Sequence, residues 1–164
     1  MEPRLIIFTV FIAIIVLAVT IWIMRSVRGQ GTSADFSTEA AALLGHRMIL
    51  GDGGDKVIER VFSYNKDLVL VDTNTWIMKV EEPDDVILRW VPNPERGSGG
   101  KIMVVRAVDR DGVPAGSKKW RKLLDTMSTF SGESLVMTDR AIGGPLVKSD
   151  EIVNGRQVWA ASRD

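Results

Sequence analysis

The sequence predicts a single N-terminal transmembrane helix followed by a small α+β domain with a mainly antiparallel sheet and one amphipathic helix. Three observations carry that prediction. Residues 5–24, LIIFTVFIAIIVLAVTIWIM, contain no charge. From residue 68 onward, short β-branched and aromatic runs are separated by Gly, Pro and Asp turns, without the strand–helix alternation of a parallel sheet. Between residues 117 and 132, apolar side chains recur at helical spacing.

The apolar run is 20 residues long. At about 1.5 Å per residue it forms a helix of about 30 Å, the thickness of the bilayer hydrocarbon. Its only polar residues, Thr9 and Thr20, can bond back to their own helix. A cleaved secretory signal has an apolar core of about 7–15 residues and ends in small side chains. This run ends in Trp22, Ile23 and Met24, and Arg25 follows at once, so the expectation is a retained anchor over residues 1–28 with the span at 5–24. Trp22, Arg25 and Arg28 mark the membrane boundary. Two arginines after the span outweigh Arg4 before it, which Glu2 opposes; by that margin the N-terminus lies outside and the C-terminal domain in the cytoplasm. Thr9, Ala13, Val16 and Thr20 recur at spacings of four, three and four, so they share a face narrow enough for a neighbouring helix to approach.

Residues 29–50 read as a tether and a short helix. In TEAAALLGH, Ser37 is the expected N-cap, Glu39 sits in the first turn and Gly45 ends the helix. Residues 51–164 then form the extramembrane α+β domain. GDGGD (51–55) is turn material, and VIERVFSY (57–64) fits a helix as well as a strand. LVLV (68–71) is expected to be a buried strand; in TWIMKVEE, Trp76, Met78 and Val80 alternate with Ile77, Lys79 and Glu81. VILRWV (86–91) and KIMVVRAVDR (101–110) are further strands, joined by loops at EEPDD and PNPERGSGG. SKKWRKLLDTMSTFSG places Trp120, Leu123, Leu124, Met127 and Ser131 on one helical face with Phe130 beside it, between Ser117 as N-cap and Gly132 as stop. SLVMTD, GGPLVK and RQVWAAS complete the chain as short strands.

Composition narrows the chemistry. Residues 1–28 take three of the 21 basic side chains and one of the 21 acidic ones, which leaves the remainder with 18 and 20. No basic footprint for nucleic acid remains. There is no cysteine and only one histidine, His46, so disulfide, thiolate-metal and multi-histidine sites are excluded. No cofactor is expected.

Several short motifs invite a catalytic or binding reading, and each fails on spacing or on local context. GSGGK (97–101) resembles a phosphate loop, but Glu95 stands where the pattern needs glycine and Ile102 where it needs Ser or Thr. Ser98 and Lys101 make an S-x-x-K pair, yet the glycines around them oppose the helix that such a pair requires. DRDG (109–112) lacks the later ligands of a calcium loop and reads as a β-turn. EEPDD (81–85) crowds four carboxylates into an expected loop, where they are read as solvated. His46 follows a helix-ending glycine, a position where a cation meets the helix C-terminus favourably.

The strongest binding signal is basic. Lys118, Lys119, Arg121 and Lys122 crowd the start of a helix, where the helix dipole disfavours cations. The expected counterpart is negative: anionic lipid head groups, or an acidic patch on another membrane-protein subunit. Three function classes follow from the whole. The first is a non-catalytic accessory subunit that anchors in a bacterial inner membrane and stabilises a larger complex, with respiratory or photosynthetic complexes, or a secretion or division machine, as candidate hosts. The second is a membrane-tethered binding or sensor module, and the third a membrane-anchored hydrolase using GSGGK or EEPDD. The missing catalytic sets and the tryptophan content, a residue favoured at interfaces, put the accessory subunit first.

Overall fold

The computed structural model describes residues 33–82, 85–95, 98–133 and 138–162. The apolar run 5–24, its packing face at Thr9, Ala13, Val16 and Thr20, and the boundary residues Trp22, Arg25 and Arg28 lie outside them. Among the described residues no helix is long and apolar enough to cross a membrane. The chain divides at Phe36/Ser37, and the architecture below is that of the unit beginning at Ser37.

The elements run α1 (Ser33–Leu44), β1 (His46–Leu50), α2 (Gly54–Ser63), β2 (Leu68–Asp72), β3 (Thr75–Met78), β4 (Val86–Pro92), β5 (Gly100–Arg110), β6 (Val113–Pro114), α3 (Ser117–Glu133), β7 (Thr138–Ile142), β8 (Val147–Val153) and β9 (Arg156–Ala160). Every strand pair is antiparallel, so the domain is α+β as expected. The long β5 is the hub. One of its sides carries β4, followed by β3 and then β2. The other side is shared: β1 pairs at Gly100–Ile102 and β9 at Arg106–Val108, so the sheet forks toward β7 and β8.

Alternation decides which face is buried. Val86, Leu88 and Trp90 of β4 and Ile102 and Val104 of β5 point inward, in register as Leu88↔Val104 and Trp90↔Ile102. The same core takes Val57, Ile58, Val61 and Phe62 from α2 and Trp120, Leu123, Leu124 and Met127 from α3. For α2 this pattern of 57, 58, 61, 62 is a helical stripe, which resolves the ambiguity of VIERVFSY.

Four local expectations are corrected. α1 begins at Ser33, so Ser37 lies inside the helix and does not cap it; Gly45 does close it, its N–H donating to the carbonyls of Ala41 and Ala42, each at 3.1 Å. GDGGD is only partly loop, because Gly53 adopts φ 83° and Gly54 opens α2. LVLV is a strand but not a buried one: β2 is the outermost strand, and only Leu68 is covered. EEPDD is not uniformly solvated, because Asp85 is 1 % exposed. Two hairpins turn on residue pairs with positive φ, Asp111–Gly112 (53° and 84°) and Asn154–Gly155 (51° and 76°), the geometry that matches strand twist. The β-turn expected at DRDG is the first of these.

Candidate functional site

A cleft of about 890 Å³ lies between α2 and the β2–β3–β4 side of the sheet. Its floor is aromatic. Phe62 of α2 meets Trp76 of β3 edge to face, with ring centroids 4.9 Å apart and planes at 83°, and Trp90 of β4 lies alongside. Trp90 and Phe62 are buried, while Trp76 is half-buried and open to the cleft. One wall is the exposed side of α2, with Asp55 and Glu59; the other is the end of β4 at Pro92 and the loop after it, with Pro94 and Ser98.

Backbone contacts fix this geometry. The Trp90 N–H donates to the Asn74 carbonyl at 2.8 Å, tying β4 to the β2–β3 turn. The Asn93 N–H donates to the Gly99 carbonyl at 3.0 Å, and the Ser98 hydroxyl donates to the Asp52 carboxylate, holding the loop against the start of α2. Here Gly99 and Gly100 of GSGGK find their reason. A Cβ on Gly99 would lie 2.7 Å from the Gly51 carbonyl oxygen and collide with that of Leu50, and the residue sits at φ +75°. A Cβ on Gly100 would lie 2.7 Å from the Trp90 ring. Close backbone approach accounts for these two glycines. Gly99→Ala is therefore expected to lower stability by about 2–4 kcal/mol, combining left-handed strain with overpacking, as read by thermal unfolding.

Ser98 and Lys101 are not on a common helix: Ser98 is in the loop and Lys101 in β5, opposite Ile49 and Val91. His46 starts β1 and does not line the cleft; its carbonyl accepts the Trp120 indole N–H at 2.9 Å. Among the described residues no cluster of three or more His, Asp or Glu side chains could hold a metal ion. The cleft offers a hydrophobic floor with a polar rim, which suits binding.

Among the described residues, Asp85 is the carboxylate whose acidity clearly departs from the ordinary. Its Oδ2 accepts the backbone N–H groups of Val80, Glu81 and Glu82 at 3.0, 2.7 and 2.8 Å, and its Oδ1 accepts Arg110 Nη2 at 2.7 Å. Burial alone would raise its pKa, but the guanidinium and the three N–H groups outweigh burial and hold it below the ordinary 3.8. The same pairing holds the Arg110 guanidinium above its ordinary value. Arg110 also pairs with Glu81. This cluster shapes the β3–β4 connection, and the sequence signal for it, an Asp at the end of a carboxylate run just before a β-branched strand, is too common to single out.

The basic residues of α3 divide. Lys119 Nζ donates to the Asp67 carboxylate and to the Lys79 carbonyl, both at 2.9 Å, so it ties α3 to the ends of β2 and β3. Lys118, Arg121 and Lys122 are exposed. Of the tryptophans, Trp90, Trp120 and Trp159 are buried, which leaves Trp76 as the one described tryptophan half-open to a partner. Asp55, Glu59, Leu70 and Trp76 are the site residues that the sequence did not single out. No protein-family profile, curated protein or solved structure matches this chain.

Proposed function

We propose that the chain is a non-catalytic accessory subunit that anchors in a membrane and stabilises a larger membrane-protein complex. The observation that carries this reading is apolar surface left open beside an aromatic cleft. Val69, Leu70 and Val71 of the outermost strand are 38, 61 and 57 % exposed, and Leu70 and Trp76 both line the cleft. An edge strand of this kind invites pairing, and free-standing domains normally blunt it with charge, proline or a covering loop. The uncharged run of residues 5–24 supports an anchor, and Arg25 with Arg28 supports a cytoplasmic domain. The exposed Lys118, Arg121 and Lys122 give the same body a surface for anionic lipid head groups or an acidic neighbour. Candidate hosts are energy-converting respiratory or photosynthetic complexes.

A second reading, a membrane-tethered binding or sensor module, draws on the cleft volume of about 890 Å³, within the range of small-molecule sites. Affinity purification of the full chain in mild detergent, followed by mass spectrometry, separates the two. The accessory-subunit reading expects integral-membrane chains eluting with it in fixed ratio. A lone, stable chain that shifts its melting temperature with a small metabolite would favour the second reading.

A further inference from the structure

The open strand and the cleft form one continuous surface, and its chemistry defines what fits. The Lys79 N–H donates to the Asp67 carbonyl at 2.8 Å, which makes 67↔79 a hydrogen-bonded pair of the β2–β3 ladder. Alternation along the register Leu68↔Met78, Val69↔Ile77, Leu70↔Trp76 then makes 70↔76 a non-hydrogen-bonded pair. The N–H and C=O of Leu70 therefore point away from β3, into the open edge. The Trp90 N–H to Asn74 carbonyl bond places Trp76 on the β4 side of the ladder in the same phase, which agrees. Leu70 and Trp76 project from one face, and that face is the cleft. Along the far wall, the exposed carboxylates of Asp55 and Glu59 have no ion-pair partner among the described residues, and among the described residues lining the cleft Lys66 is the one cation.

We propose that this surface binds an extended, basic-flanked apolar peptide segment of a partner subunit, which adds to β2 as a further strand. This rests on the accessory-subunit reading and names its docking site. Backbone pairing to Leu70 supplies orientation, an apolar side chain enters over Trp76, and a flanking Lys or Arg meets Glu59 and Asp55. Strand addition with alternate side chains in a pocket is an established mode of peptide recognition, and charge across the rim sets specificity. A second copy of this chain fits less well, because its own β2 is flanked by Asp67 and Asp72.

The test uses the full chain in phosphatidylcholine nanodiscs and three fluorescein-labelled peptides, KVLFVLK, EVLFVLE and an N-methylated form of the first, with empty nanodiscs as blank. By fluorescence anisotropy the lysine-flanked peptide is expected to bind at least tenfold tighter. The doubly reversed variant Asp55→Lys/Glu59→Lys, with unchanged near-UV circular dichroism, should invert that preference. A lysine-flanked peptide N-methylated at alternate amides should lose at least tenfold, because it can no longer pair with a strand edge. Equal binding of all three peptides, or none, overturns the proposal, as does a chain dimer that Leu70→Lys dissolves. If the peptides fail while membrane subunits still co-purify with the chain, the docking site is wrong and the accessory-subunit reading stands. If the peptides bind and no subunits co-purify, the docking surface stands and the accessory role falls.

Discussion

Trp120→Ala is expected to cost about 3–5 kcal/mol, enough to leave the domain largely unfolded at 37 °C. Trp120 is 0 % exposed and sits in the one core cluster that joins α3 to the sheet, with Leu124 and Met127 one and two turns further along the helix. Truncation removes the largest fully buried side chain and leaves a cavity that neighbours on rigid strands cannot close. It also strips the His46 carbonyl of the indole N–H that it accepts at 2.9 Å. Trp120→Phe separates the two contributions: it restores most of the volume but not the donor, and should cost about 1–3 kcal/mol. Thermal unfolding of the full chain in detergent, followed by near-UV circular dichroism, reads both variants. A loss below about 1 kcal/mol for the alanine variant would mean that α3 does not pack as described.

Asp85→Ala is expected to be nearly as damaging, at about 3–5 kcal/mol, because it leaves three backbone N–H groups without an acceptor and the half-buried Arg110 with only the exposed Glu81 as counter-ion. The same carboxylate sets an acid limit. Its folded pKa lies below the ordinary 3.8, so the folded state favours the ionised form. Its contribution is then fully present above the ordinary value and is lost as pH falls below it through the depressed folded value. The wild-type chain should therefore lose stability more steeply below about pH 4 than Asp85→Asn, which has no proton to take up there. Parallel acid titrations of the two chains would contradict this assignment.

Legibility in the sequence followed the strength of local patterns. The α3 stripe of Trp120, Leu123, Leu124, Met127 and Ser131 was readable because helical period and burial coincide; all five are buried. The hub strand and its neighbour were readable because Val86, Leu88 and Trp90 alternate. LVLV was not, since an unbroken apolar run looks the same at the centre of a sheet and at its rim, and only the pairing partner of β2 distinguishes them. The cleft was hidden for a related reason. Phe62, Trp76 and Trp90 come from three elements, and their meeting depends on register, which is a property of the whole sheet. Asp85 was hidden because burial of one carboxylate among four is decided by Arg110, 25 residues further on.

Native electrophoresis of digitonin-solubilised membranes is the most direct test of the central claim, that this domain is held in a membrane against other subunits. The tagged chain should run in a band several times heavier than its 18.1 kDa and be joined there by other integral-membrane chains. A chain that migrates alone, or that is recovered from the soluble fraction before detergent is added, would contradict it.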